Sequence, residues 1–230
     1  MLLSDILRRF AASAIVCAGL SGCAYFKNYD DARQIQNAPV VDHHEFFTWE
    51  EYERMSWNEA IENIRTPRQA QSYCNFLMAR ALHNNNFDDG SHFYGFQIVH
   101  EGAPVDCSEA AYAAAAVLSD DGYEPLVMVL AEDTLAGSLF GNRAHIVFVY
   151  KQNDGFGSIG IRQREDFNRP VFATLDALAK RIQQVQHQDN HDILLTRYVV
   201  INIGENDPDY ITTDRNMQRA IELDCEIENE

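Results

Sequence analysis

The stretch DCSEAAYAAAAVLSDDG, residues 106–122, predicts a helix that packs closely against a sheet. Its helical spacing places small alanine side chains on the same face as Cys107. Asp106 is a residue type typical of an N-cap, and Glu109 follows three positions later, as in a capping box. We therefore expect the helix to begin at Asp106 and Cys107 and to end by Gly122.

Cys107 falls in the first turn of this helix, near unpaired backbone N–H groups and the positive end of the helix dipole. Both features favour the thiolate, which is the nucleophilic form of cysteine. Asp106 and Glu109 partly oppose this effect because they are negatively charged. Cys107 is thus a candidate nucleophile with Asp106 beside it, and the alternative is a small buried core cysteine.

A second stretch, RAHIVFVY at residues 143–150, predicts a strand with His145 near its start. The tripeptide NDG at residues 153–155 is a strong signal for a hairpin turn, so residues 156–161 should form the returning strand. A cysteine at a helix start and a histidine at a strand start fit a thiol–imidazole pair. The alternative for His145 is a core or strand-end histidine.

The remaining elements follow from periodicity and capping signals. One helix is predicted over residues 48–64 and a second from the Thr66 cap and Pro67 to about Leu82. A further helix should run from the Thr174 cap to about His187. The other strands are expected over residues 123–130 and 197–203. The inward residues of the second helix should be Tyr73, Phe76, Leu77 and Leu82.

Residues of about 66–161 resemble the transglutaminase-like superfamily, which shares the papain-like cysteine-protease core. The similarity rests on the order of three motifs: the Asp-Cys helix start, the Gly-Tyr strand lead-in at residues 122–123, and the strand opened by His145. It implies an α+β fold in which the helix bearing the cysteine packs on a small antiparallel sheet. It also implies that Cys107 is the nucleophile and His145 the general base.

The resemblance further implies an Asp or Asn on the returning strand, about four positions after an aromatic residue. Counting from Phe156 leads to Gly160, which has no side chain. Ser158 could hydrogen-bond the imidazole without supplying a charge, and Asp154 and Asp166 flank the strand. In a serine triad, loss of the residue that orients the histidine lowers the reaction rate by up to about 10⁴-fold.

The donor that would stabilise an oxyanion is a separate question. Gln97 lies upstream of the cysteine and is a candidate, together with the backbone N–H of Cys107. The alternative for Gln97 is a structural or surface glutamine. No histidine or cysteine spacing matches a known zinc motif, so we expect no metal and no other cofactor.

The N-terminus is typical of an export signal. Arg8 and Arg9 precede an apolar stretch over residues 10–20, which is too short to span a bilayer. The sequence LSGC at residues 20–23 resembles the bacterial lipobox, in which the cysteine is acylated. We expect a signal peptide over residues 1–22, a lipid anchor on Cys23, a tether over residues 23–45 and one domain over residues 46–230.

The composition limits the classes of binding partner that we expect. The chain has 230 residues, 46% of them hydrophobic, and a formal net charge of −17. So acidic a chain is repelled by phosphate backbones, so nucleic acid is not an expected partner. Because Ala24 replaces the Asp that commonly retains lipoproteins at the inner membrane, the expected location is the outer membrane, facing the periplasm.

Two functions remain open. The first is an envelope-anchored thiol hydrolase of the peptidase or amidase type, with a peptide or protein substrate. The second is a catalytically inactive lipoprotein that uses the same fold as a binding or scaffolding module. Cys74 and Cys225 bear on the choice, because a disulfide from Cys74 to Cys107 would remove the nucleophile.

Overall fold

The computed structural model describes residues 35–38, 46–84, 99–132, 144–161, 167–189 and 194–202. The helices in these ranges are α1 (Trp49–Arg54), α2 (Trp57–Asn63), α3 (Pro67–His83), α4 (Cys107–Leu118) and α5 (Leu175–Asp189). The strands are β1 (Leu126–Ala131), β2 (Ala144–Gln152), β3 (Gly155–Ile159), β4 (Phe167–Phe172) and β5 (Arg197–Asn202).

The strands form one sheet in the order β4-β3-β2-β1-β5. Each neighbouring pair is antiparallel, so the protein combines helices with an antiparallel sheet. This confirms the expected α+β class. None of the helices in the described ranges is long and apolar enough to cross a membrane.

The sheet is buried on both faces because its side chains alternate between two hydrophobic clusters. Ile146 and Phe148 of β2 belong to the cluster formed with α3 and α4. Val147 and Val149 belong to the cluster formed with α5. Helix α4 packs against β1, β2 and α3, so the helix bearing Cys107 covers one face and α5 covers the other.

The start of the helical layer differs from the prediction. Residues 48–64 form the two helices α1 and α2 instead of one. The break occurs because Ser56 begins a new capping box with Glu59, just as Thr48 does at the start of α1. Leu82 is also 58% exposed, although it was expected to face inward.

Most local predictions are confirmed. Thr66 caps α3 with Pro67 in its first turn, and Gly122 takes a left-handed φ of 82° after the α4 region. The Thr174 hydroxyl accepts the backbone N–H of Ala177 at 3.0 Å at the start of α5. Strand β4 was not predicted, since its sequence FNRPVF contains a proline and lacks apolar alternation.

Part of the predicted tether lies against the sheet. Ile35 is 2% exposed and joins the α5-side cluster. Asn37 makes two hydrogen bonds with Asp154, of 2.9 and 3.0 Å, and the Ala38 N–H donates to the Lys151 carbonyl at 2.6 Å. Residues 35–38 therefore belong to the folded body. The predicted signal peptide and Cys23 lie outside the described residues.

Candidate active site

Cys107 is the first residue of α4, as the sequence predicts. The Asp106 carboxylate caps the helix, accepting the Ser108 backbone N–H at 2.6 Å and the Ser108 hydroxyl at 2.5 Å. In return, Glu109 accepts the Asp106 backbone N–H at 2.9 Å. This capping box fixes the first turn of the helix, and Cys107 within it, through side chains that are all close in sequence.

Cys74 supports α4 from the neighbouring helix α3. Its thiol is buried and donates to the Ala110 carbonyl, one turn after Cys107, at 3.3 Å. Cys74 and Cys107 are both reduced in this structure. The disulfide that would have removed the nucleophile is therefore not formed in this structure.

The Cys107 sulfur lies where the ladder between β2 and β3 stops. The turn residues Asn153 and Asp154 both have positive φ, at 51° and 61°, which is the two-residue hairpin geometry that the sequence predicts. From this turn, every second residue of β2 directs its N–H toward β3, and Ile146 is one of them. The ladder ends at the pair Phe148–Ile159, and the Ile146 N–H faces the Cys107 sulfur instead.

His145 lies at the same corner of the sheet as Cys107. Its Nε2 is buried, and the residue pairs with Leu130 of β1. Strand alternation turns its side chain to the α5 face, whereas Ile146 faces α4. The peptide unit between His145 and Ile146 is the one whose N–H faces the cysteine. The His145 and Cys107 side chains therefore lie on opposite faces of the sheet, both beside the open edge of β2.

The electrostatic surroundings hold the proton on the Cys107 sulfur. Burial raises the pKa of the Cys107 thiol most, and the charge of Asp106 raises it further. The backbone N–H groups of Ile146 and of Cys107 itself act in the opposite direction, with a smaller effect. The sequence expectation that the helix start favours the thiolate is therefore outweighed by burial in the resting structure.

Glu109 differs from its exposed counterparts in the first turns of α1 and α2. It is 1% exposed, and its Oε1 is buried with no hydrogen-bond partner among the described residues. Burial and the adjacent Asp106 raise the pKa of the Glu109 carboxyl. Glu109 therefore favours the neutral acid, which limits the negative charge beside Cys107.

The register corrects the expected role of Ser158. It pairs with Val149, four residues along β2 from His145. At about 3.4 Å per residue, the two levels lie about 14 Å apart, which is too far for a hydrogen bond to the imidazole. Gly160 is nearer to His145, but a side chain there would lie 2.7 Å from Cγ1 of Val147. The returning strand therefore has no room for an acid at the expected position.

Gln71 is a polar residue at this corner that the sequence did not single out. It lies on α3, is 4% exposed, and forms two hydrogen bonds with the backbone of Gly160. The available signal was a glutamine within the inward stripe of an amphipathic helix, where apolar residues are expected. Gln97, Asp166 and Cys225 lie outside the described residues.

A second polar centre surrounds His100, away from the predicted pair. The Tyr73 hydroxyl lies 2.7 Å from Nδ1, and Nε2 lies 2.7 Å from the Met55 carbonyl. Since a carbonyl only accepts, Nε2 carries the hydrogen and Nδ1 accepts from Tyr73. Burial lowers the pKa of His100, so the neutral imidazole fits this network.

A cavity of about 440 Å³ adjoins this second centre. The Arg80 guanidinium at its wall donates to the Val99 and His100 carbonyls at 2.7 and 2.8 Å. Its other N–H donors form no hydrogen bond with the described residues. The cavity is lined by Glu53, Met55, Ser56, Trp57, Asn58, Arg80, His100 and Glu101.

Across the described ranges, no three His, Cys, Asp or Glu side chains are grouped so that they could hold a metal ion. No protein-family model matches the chain, and no curated protein sequence matches it. The arguments on function therefore rest on the residues and their geometry.

Proposed function

We propose that this protein is a thiol-dependent hydrolase of the transglutaminase-like type, acting on an amide bond of a peptide or protein in the bacterial cell envelope. The observation that carries the proposal is the position of the Cys107 sulfur at the open edge of β2, one peptide unit from His145. A cysteine-bearing helix packed on an antiparallel sheet is also the arrangement that the papain-like core requires.

In the proposed reaction, the Cys107 sulfur attacks the amide carbonyl and forms a tetrahedral intermediate. The thiol proton passes to His145 and then to the departing amine, as the carbon–nitrogen bond breaks. Water hydrolyses the resulting thioester and releases the acid. Backbone N–H groups at the start of α4 are the donors for the oxyanion.

The protonated state of the resting thiol has a consequence for this reaction. Burial and the neighbouring Asp106 carboxylate disfavour a thiolate before the substrate binds. Proton transfer to His145 should therefore accompany the attack instead of preceding it. A substrate that displaces water from this corner would bring the thiol and imidazole into the same dry environment.

The proposed anchor is an acylated Cys23, with the body on the periplasmic side of the outer membrane. The lipid would supply the membrane affinity, because a body with so many acidic residues gains nothing from anionic lipid. Palmitate incorporation tests the anchor: it should be lost in Cys23→Ser and retained in Cys17→Ser. Incorporation that survives in Cys23→Ser would exclude this anchor.

The test of the hydrolase is the rate of iodoacetamide labelling at Cys107 in the full chain, with the labelled peptide identified by mass spectrometry. His145→Ala should slow labelling at pH 7 about tenfold or more, because the imidazole is the base that takes the proton. The control is His83→Ala, since His83 is an exposed residue at the end of α3. Equal rates in the parent chain and His145→Ala would contradict the proposal.

A second candidate function is a non-catalytic binding module, and the cavity beside Arg80 favours it. A partly buried guanidinium with donors that no described residue occupies, next to the Trp57 indole, suits a ligand that carries a carboxylate. Short peptides with free and with amidated C-termini are suitable probes. The Trp57 indole N–H resonance should shift with the free acids only, and should not shift in Arg80→Gln. No shift with either peptide would exclude this candidate.

A further inference from the structure

The Gln71 side chain is held from three sides where β3 ends. Its Nε2 donates to the Gly160 carbonyl at 2.8 Å and to Oδ1 of Asn75 at 2.9 Å. Its Oε1 accepts the Gly160 backbone N–H at 3.1 Å. Both backbone groups of Gly160 are therefore bonded to one carboxamide, in the way that a neighbouring strand would bond them.

The hairpin geometry defines which groups this carboxamide replaces. Gly160 alternates with the residues of β3 that pair with β2, so its N–H and carbonyl point away from β2. On that side β3 pairs with β4, and the last pair is Ile159–Phe167. Gln71 thus bonds the groups of Gly160 that face the β4 side, and it connects the chain after Ile159 to α3.

The hydrogen bonds between Gln71 and Gly160 keep the edge of β2 open beside Cys107. A continued ladder would pair Ile161 with Ile146 and occupy its N–H. Instead the ladder stops at Phe148–Ile159, and Ile161 packs against the α4-side cluster. The backbone at Gly160 also lies so close to Val147 that a Cβ would be 2.7 Å from its Cγ1. The chain is therefore fixed on both sides of the point where it leaves β2.

We propose that Gln71 is a positioning residue for Cys107: its carboxamide holds the chain at Gly160, so that the Ile146 N–H faces the cysteine sulfur instead of the carbonyl of Ile161. The contact between the Ile146 N–H and the Cys107 sulfur matters for catalysis only if the hydrolase function proposed above is right, but the contact itself does not depend on that function. A backbone N–H aimed at sulfur stabilises the thiolate relative to the thiol. Gln71 therefore acts on Cys107 through the backbone of two strands.

The experiment compares two buried glutamines that differ in what they hold. Gln71→Met removes the three hydrogen bonds with little change in volume. The matched control is Gln183→Met on α5, where the lost bond is from Nε2 to the Leu195 carbonyl, at 2.7 Å, on the opposite face of the sheet. The readouts are the pH profile of iodoacetamide labelling at Cys107 and the hydrogen-exchange rate of the Ile146 amide, both in the full chain.

We expect Gln71→Met to shift the labelling profile to higher pH by about half a unit or more, which lowers the rate at a given pH about threefold. The Ile146 amide should change its exchange rate in the same variant. Gln183→Met should alter neither readout. If both variants lose similar stability and leave the Cys107 profile unchanged, Gln71 is a structural residue only and the proposal is wrong.

Gln71→Glu supplies a second route if Gln71→Met fails to fold. A neutral carboxylic acid can reproduce both bonds to Gly160, whereas a carboxylate cannot donate to its carbonyl. The Ile146 amide should therefore behave as in the parent chain at low pH and change as the new acid ionises. If the Ile146 amide of Gln71→Glu exchanges at the parent rate at every pH, the proposal is wrong.

The two proposals fail separately. If His145→Ala leaves labelling unchanged while Gln71→Met shifts it, the hydrolase is wrong and the positioning role of Gln71 stands. If His145→Ala slows labelling and Gln71→Met has no effect, the hydrolase stands without Gln71.

Discussion

At its hairpin end, strand β2 pairs with β3 as far as Gln152, and β1 pairs with it on the other side as far as Val149. At its start, β1 still pairs with Ala144, but the β3 edge is open from Ile146, whose N–H faces the Cys107 side chain of α4. Since β2 has nine residues, these ends lie about 30 Å apart. The same strand therefore has one end closed by backbone pairing and one end that presents backbone groups to side chains.

The difference shows how this fold separates stability from chemistry. Backbone ladders satisfy polar groups without any particular side chain, so the closed end tolerates many sequences. At the open end, the backbone needs named partners, and those are Cys107 at Ile146 and Gln71 at Gly160. Specific side chains on exposed backbone groups are what a reactive site requires, because they set both geometry and charge.

The largest expected effect compares glycines at the two ends. A methyl group at Gly155 would overlap the backbone carbonyl of Pro170 in β4, whereas one at Gly160 would press on the Val147 side chain. Backbone cannot move as a side chain can, so Gly155→Ala should cost about 3 kcal/mol and Gly160→Ala about 1–2 kcal/mol. Urea unfolding followed by circular dichroism measures both. A larger loss for Gly160→Ala would mean that the open end is the more rigid one.

A smaller effect should follow when the charge of Asp106 at the open end is removed. The Asp106 carboxylate raises the pKa of Cys107, so removing its charge lowers that pKa and increases the thiolate fraction at any pH below it. Asn is also a good N-cap, so Asp106→Asn preserves the helix start. Labelling of Cys107 at pH 7.5 should rise about three- to tenfold, for a shift of half to one pKa unit.

The control for this charge effect is Asp120→Asn, which removes an exposed carboxylate at the far end of the α4 region. It should leave Cys107 labelling unchanged. If Asp106→Asn slows labelling, the capping geometry matters more to Cys107 than the charge does. That result would mean that Asp106 acts on Cys107 mainly by supporting the start of the helix.

Local signals made the hairpin turn and the helix caps predictable. Asn153 and Asp154 adopt the hairpin geometry that the sequence indicates, and Thr66 and Asp106 cap helices as expected. Capping and turn formation depend on residues within four positions of each other, so a sequence carries them directly. The break at Ser56 was visible in the same way, as a capping box with Glu59, but helical spacing alone concealed it.

The open end depends on distant residues and was only partly predictable. The sequence paired Cys107 with His145, but it did not indicate that the cysteine sulfur faces the Ile146 N–H at a strand edge while strand alternation turns His145 to the opposite face of the sheet. Gln71 is 89 residues from Gly160, and no local pattern joins the two. Ser158 was chosen by its proximity in sequence, and only the strand register reveals that it lies too far from His145.

The smallest expected effect tests whether the two ends are independent. Asn37 makes two exposed hydrogen bonds with Asp154 at the closed end. Asn37→Ala should cost about 0.5–1 kcal/mol and speed hydrogen exchange at Ala38, whose N–H donates to Lys151. Asn63→Ala is the control, since its lost bond to Glu59 lies within one helix. Labelling of Cys107 should be the same in both variants. If Asn37→Ala changes that labelling, β2 transmits strain along its full length, and the site cannot be treated as separate from the segment that joins the body to its N-terminus.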